Sequence, residues 1–372
     1  MTRTVFWILC LAGATLSFNV AACAALVPSI AQEFGVSHFL AGKIVWVYML
    51  SYGVAALIYG PLVKFFDAKR IELICFLLFC LANLLAASAK NIGVLLGARF
   101  LMGIFGASVI PLVLILVARN AKEKNRGRLV GIFFSATFAA SLAGLFLSGI
   151  ISWRLIFLIP GIFGILLWIH MYYYLPSFKA ICGGSSVNYW GALRSKAISS
   201  LFAYIFLISF IYHGVQQWLG VYFAQRYGFG QFIISMLVTV TSLSGIFGEV
   251  LGGFFADTWG RKRIVNIGIA LMIISVFLLV LKLPLWVLFF LMIVWGLGWT
   301  FNHSGLSTKL TDLPGEFLNE AASLNSSVRF LSGGIGAALA GVVLQKSFTL
   351  GFLVLGVGLV VLFIGTLVRQ PA

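Results

Sequence analysis

The chain has 372 residues, of which 62% are hydrophobic and 9% charged. A soluble domain normally carries about 25% charged residues, so this sequence cannot cover a water-facing surface, and its hydrophobicity excludes disorder. The net charge of +16 would suggest nucleic acid in a soluble protein, but here the positions of the charges decide.

In chain order, mostly apolar runs long enough to cross a bilayer lie at 5–28, 40–63, 71–89, 92–118, 129–151 and 155–175. After a polar stretch they resume at 199–223, 231–256, 264–282, 285–306, 319–344 and 348–368. The runs do not alternate as barrel strands do, so they predict an all-α integral membrane protein of twelve transmembrane helices. In the first run, Val20-Ala21-Ala22-Cys23 imitates a lipoprotein cleavage site. The apolar pattern continues to Pro28, and the segment reads as a transmembrane helix.

With the N-terminus inside, the inner loops and termini hold 17 Lys and Arg and the outer side 6, while Arg99 and Arg329 fall within spans. That bias places both termini in the cytoplasm and explains the basic charge without nucleic acid. The sequons at Asn302 and Asn325 fall at or within spans, which suits a bacterial inner membrane. Five cysteines, Cys10, Cys23, Cys75, Cys80 and Cys182, form no CxxC pair and predict neither a disulfide framework nor a metal site.

The polar stretch divides the chain into 1–176, a linker at 177–197, expected in the cytoplasm, and 198–372. The halves match in order. Ser135, Phe138, Gly144, Leu147 and Gly149 correspond to Ser327, Phe330, Gly336, Leu339 and Gly341. Phe100-Leu101-Met102 recurs as Phe290-Leu291-Met292, which pairs Gly106 with Gly296. Six spans repeated in one orientation predict two pseudo-symmetric six-helix bundles, the parallel-repeat plan of rocker-type carriers.

After span eight stands Gly253-Phe254-Phe255-Ala256-Asp257-Thr258-Trp259-Gly260-Arg261-Lys262. This resembles the G-x-L-A-D-x-x-G-R-K signature of the major facilitator superfamily. In it Gly253 is expected to permit close helix approach and Gly260 a tight turn, with Arg261 and Lys262 holding that turn on the cytoplasmic side. Asp257 sits badly at its own helix C-terminus and would suit the N-terminus of span five, near Gly127. The first-half copy, from Gly60 to Lys69, is degraded. Lys64 takes the acidic position, which suggests a charge-inverted latch to Glu316 or Glu320, although Lys64 also reads as one more positive-inside residue.

Arg99 begins Arg99-Phe100-Leu101-Met102-Gly103, similar to a motif of proton-coupled members of that family. Ser152-Trp153-Arg154 resembles the span five-to-six junction of drug and metabolite exporters. Span five lacks their proline, and Gln216-Gln217 is similar to sugar carriers. The resemblance implies alternating access around a central site.

Polar groups inside spans need a partner or water and are candidates for that site. In the first half these are Asn19, Tyr48, Tyr52 and Arg99. Span seven adds Tyr212, His213, Gln216, Gln217 and Trp218, and the later spans add Asn302, His303, Asn325 and Arg329. Glu249 reads as the only carboxylate well inside a span, about 12 Å along its helix from Asp257. With Arg99, His213 and Arg329 it forms the set expected to couple protons, and an ion pair of Glu249 with either arginine is the structural alternative.

The sequence thus predicts a monomeric, proton-coupled exporter of a small organic solute with no cofactor. An uncoupled facilitator, an importer and a non-transporting sensor are the alternatives. No nucleotide-binding or hydrolase motif supports an enzyme.

Overall fold

The computed structural model describes residues 3–62, 65–113, 123–177, 189–310 and 318–368, without the side chains of 60, 123–127, 307, 308, 310 and 318–323. The described residues are helical, with no strand among them, as lipid demands of a backbone that must satisfy its own polar groups. They form two compact units, Met1–Val187 and Asn188–Ala372.

In the first unit, Arg3–Ser17 and Ala22–Phe34 form one span bent by 41°. His38–Leu62, Ala68–Ala87, Ile92–Val113, Glu123–Leu147 and Trp153–Tyr174 follow as spans two to six. In the second, the short helix Tyr189–Arg194 precedes span seven, Lys196–Tyr227. Spans eight to twelve are Gln231–Trp259, Arg261–Leu278, Leu285–Leu310, Leu318–Leu344 and Phe348–Val368. Span nine opens with three basic residues, and with it the described spans number twelve.

Helix ends follow local chemistry. Asp67 accepts from the Lys69 amide at 3.0 Å and Asn91 from the Val94 amide at 2.9 Å, each capping the next span. Gly260 joins spans eight and nine at φ 92°, a conformation that a side chain would strain.

The duplication is legible as contacts. A Cβ on Gly144 in span five would strike the Phe18 carbonyl of span one. A Cβ on Gly336 in span eleven would strike the Phe210 carbonyl of span seven, and both members of this pair lie 192 positions further on. Likewise Gly103 packs on Ser51 and the Tyr48 carbonyl, and Gly296 on Ser244 and the Thr241 carbonyl, all shifted by 193. Gly103 is therefore the counterpart of Gly296, which corrects the pairing with Gly106 expected from the Phe-Leu-Met triplets. Three residues is nearly one helical turn, so an apolar triplet can match by letter in the wrong register. Gly106 instead meets Leu16 and Phe79.

Gly253 is a second correction. The signature implies close approach there, yet a Cβ meets nothing within 4 Å among the described residues. Span eight approaches span ten through Gly245, Gly248 and Gly252, against Thr300 and Ser304. Gly253 lies one residue, about 100° of rotation, off that face.

At one end of the first unit, the Ser152-Trp153-Arg154 junction forms a clamp. Trp153 Nε1 donates to Glu33 Oε2 at 2.5 Å, and Arg154 reaches Glu33 Oε1 through Nη2 at 2.6 Å. Arg154 Nη1 also donates to the carbonyls of Ala87 and Ala89. Spans one, three and six are thereby tied together.

Candidate functional site

The polar groups converge most densely in the second unit. Trp295, Trp299 and His303 recur every four residues and so share one face of span ten. Span seven presents Tyr212, His213 and Gln216 to that face. The Tyr212 ring lies 3.9 Å from Trp299 and 5.2 Å from Trp295, stacked on both. His213 meets Tyr212 and Trp299 edge-on at 5.0 and 5.8 Å. Trp295 Nε1 donates to Gln216 Oε1 at 2.7 Å, and Gln217 Nε2 lies 3.2 Å from His213 Nδ1.

Charge enters from spans eight, ten and eleven. Glu249 Oε1 is 2.6 Å from His303 Nδ1, close enough for charge pairing although the ring N–H is not aligned for a hydrogen bond. Each of these side chains is about one-third exposed. Arg329 is buried, and its Nε donates to Asn325 Oδ1 at 2.8 Å. Its Nη1 and Nη2 have no partner among the described residues. Glu249 acts on Arg329 electrostatically but makes no ion pair with it. The acid, two imidazoles, a guanidinium and a stacked aromatic wall thus occupy one region of one unit.

Two other candidates from this half serve packing. Trp218 Nε1 donates to the Ala337 carbonyl at 2.8 Å. Asn302 is fully buried and its Nδ2 donates to Tyr204 at 3.0 Å, away from the His303 side chain one residue on.

In the first unit, Asn19 is also fully buried, and its Nδ2 donates to Asn83 Oδ1 at 2.6 Å across spans one and three. Tyr48 and Tyr52 share a buried face with ring centroids 5.8 Å apart. The Arg99 guanidinium lies 4.1 Å over the Tyr48 ring, and its Nε donates to the Ile44 carbonyl at 2.9 Å. Within the second unit, Arg329 makes no ion pair with Glu249 among the described residues.

The sequence reading missed three side chains, one of them an acid. Glu249 is not the only carboxylate well inside a span, because Glu72 of span three is fully buried and neither carboxylate oxygen has a partner among the described residues. Span three begins at Ala68 rather than at 71, so Glu72 sits a full turn inside it. Trp295 and Trp299 were missed as well, although their four-residue spacing to His303 was visible.

At the motif end of the second unit, Asp257 is exposed in the last turn of span eight. Lys309 stands in the last turn of span ten. The expected latch partners Lys64, Glu316 and Glu320, and Gly127 opposite Asp257, lie outside the described side chains.

A family model described as Major Facilitator Superfamily matches residues 9–337 and 234–372. A Helicobacter pylori (strain P12) protein named "Probable sugar efflux transporter" is 24% identical over 345 residues, covering 91% of this chain and 88% of its own. Among solved structures, a bacterial homologue of the human lysosomal transporter Spinster superposes with a TM-score of 0.82 at 14% identity, each chain fully covered. The nucleoside transporter NupG gives 0.80 at 15% identity, covering 99% of this chain and all of its own. These structures share the fold, two six-helix bundles, and the family model spans both; the chain is a multi-pass membrane transporter, not an enzyme, and belongs to the Major Facilitator Superfamily.

Proposed function

We propose that the protein exports a small, partly apolar organic solute by alternating access, in exchange for protons. The Glu249–His303 contact beside Arg329 is the observation that carries this reading. A carboxylate 2.6 Å from an imidazole can pass a proton to or from it once the ring turns its N–H onto the acid, as the surroundings change between the two faces of the cycle. The stacked Tyr212, Trp295 and Trp299 supply an apolar wall next to that relay, and Gln217 and Asn325 supply hydrogen-bonding groups. Asp257, Gly260, Arg261 and Lys262 form the turn on which the conformational change would pivot.

The test is solute-dependent proton movement in proteoliposomes across a mixed panel of metabolites and drugs, with wild type compared against Glu249→Gln. Proton movement in the wild type that the substitution abolishes supports coupling through Glu249. Solute counterflow with no proton movement, unchanged by Glu249→Gln, would leave an uncoupled facilitator and make the pair structural.

A sugar is the second reading. The name of the Helicobacter relatives favours it, as do the amides of Gln216 beside Trp295 and Gln217 beside His213. Efflux of labelled hexose from loaded proteoliposomes distinguishes the two.

A further inference from the structure

An arginine inside a membrane span is costly unless a partner or water meets its charge. Guanidinium stays charged at any accessible pH, so the cost cannot be relieved by losing a proton. Arg329 is 9% exposed, and its two terminal nitrogens are buried without any hydrogen-bond partner among the described residues. Its Nε is held by Asn325, which lies one turn earlier on the same helix and fixes the plane of the group. What remains is a pre-oriented two-nitrogen fork that no described residue fills.

The obvious internal occupant is engaged elsewhere. Glu249 is the carboxylate that acts on Arg329 through space, but its Oε1 lies against His303 at 2.6 Å. His213, the other titratable group that feels Arg329, is a base and offers no anion. No neutral acceptor among the described residues fills the fork either.

Among the described residues Arg99 is the other buried arginine, and its guanidinium is met on several sides. It has a carbonyl on Nε, a ring beneath its plane and a sulfur near Nη1. Arg329 has none of these on its fork. The fork geometry matches two oxygens of one planar oxyanion.

We infer that the transported solute is an organic acid: its carboxylate is taken bidentately by Nη1 and Nη2 of Arg329, and its apolar body lies along the Tyr212–Trp299 wall. This rests on the cluster being the solute site, as the proposed function has it, and adds the substrate's charge.

The test uses the purified full chain in lipid nanodiscs, with no ion gradient, and two matched pairs of probes. Benzoate is compared with benzamide, and glucuronate with glucose, by thermal stabilisation and by binding of the labelled compound. The acid of at least one pair is expected to bind about 10- to 100-fold more tightly than its neutral partner, the range for hydrogen bonds to a charged group. Arg329→Gln should abolish that preference, and Arg329→Lys, which keeps the charge but loses the fork, should retain only part of it. If Arg329→Gln does not fold, Asn325→Ala takes its place, since it frees the fork from its tether and should weaken the preference.

Equal binding of acid and neutral partner, no binding of either acid up to millimolar concentration, or a preference that survives in the variants each overturns the inference. Glucose binding indifferent to Arg329 would mark a neutral sugar site and also overturn it. Proton coupling is read separately. Acid preference that persists where Glu249→Gln changes no proton flux sinks only the coupling. Flux that depends on Glu249 without acid preference sinks only the anion site.

Discussion

The two units treat the same problem, a charge inside a membrane bundle, in opposite ways. The first surrounds Arg99 with a carbonyl, a tyrosine face and a thioether, so the cation is met by neutral groups of its own unit. The second places Arg329, Glu249 and His303 together, leaves the arginine fork unfilled by any described residue and exposes about one-third of the acid and the imidazole. A charge whose partners all come from the backbone and from packed rings is part of the scaffold. A charge whose partners are titratable, or absent, is available to a ligand or a proton.

The scaffold shared by the two units can be tested first, because breaking it should have the largest effect. Gly144→Leu and Gly336→Leu each drive a side chain into a backbone carbonyl of the neighbouring span. Each is expected to cost about 3 kcal/mol or more, the upper range for overpacking, and to remove most monodisperse protein from size-exclusion profiles. Gly253→Ala is the control, since a Cβ there meets no described atom within 4 Å, and a helical Gly→Ala change should be neutral or stabilise by up to about 1 kcal/mol. Similar losses at Gly144 and Gly336 would confirm that the duplication is held by equivalent contacts. Loss at only one would make the units mechanically unequal.

The comparison of the arginines comes next in size. Arg99→Lys removes the planar stack on Tyr48 and the Nε bond to Ile44, and is expected to lower stability by about 2 kcal/mol. Arg329→Lys gives up only the Asn325 bond, so its melting temperature should fall less while solute binding falls more. The reverse order would mean that Arg329 is the structural residue.

How much of this was visible in the sequence depended on the range of the signal. Span count follows from local composition, and the family signature at Gly253–Lys262 is contiguous, so both were legible. Duplication was legible at Gly144 and Gly336, where identical letters coincide with a close contact that only glycine permits. It was misread at Gly106, because an apolar triplet carries little information about register when most of the helix is apolar.

The site was half legible. Polar residues in apolar runs pointed to Glu249, His213, Arg329 and Asn325. The partner that Glu249 chose, His303 on span ten, could not be read, because which faces of two distant helices meet is set by packing rather than by spacing. Asn302 and His303 are adjacent in sequence yet point to different neighbours, as residues about 100° apart on a helix must. Glu72 escaped because the apolar run was started three residues late, which put a buried acid at the edge of its span.

Glu72 offers the smallest expected effect and the sharpest contrast with Glu249. It is fully buried among spans two to four, within electrostatic reach of Tyr59 and Cys75. Neither can serve it. The Tyr59 hydroxyl donates to the Ile104 carbonyl at 3.0 Å, and Cys75 donates to Tyr59 at 3.5 Å. A buried polar group that makes no hydrogen bond contributes nothing to set against its desolvation, so an apolar replacement of similar size should be tolerated. Glu72→Leu is therefore expected to leave the melting temperature unchanged or to raise stability by about 1 kcal/mol, with proton flux preserved. Glu249→Gln should do the opposite, keeping the fold and losing the flux. If Glu72→Leu folds normally but abolishes flux while Glu249→Gln does not, the acid that the cycle uses lies in the first unit. The division of labour between scaffold and site would then have to be reversed.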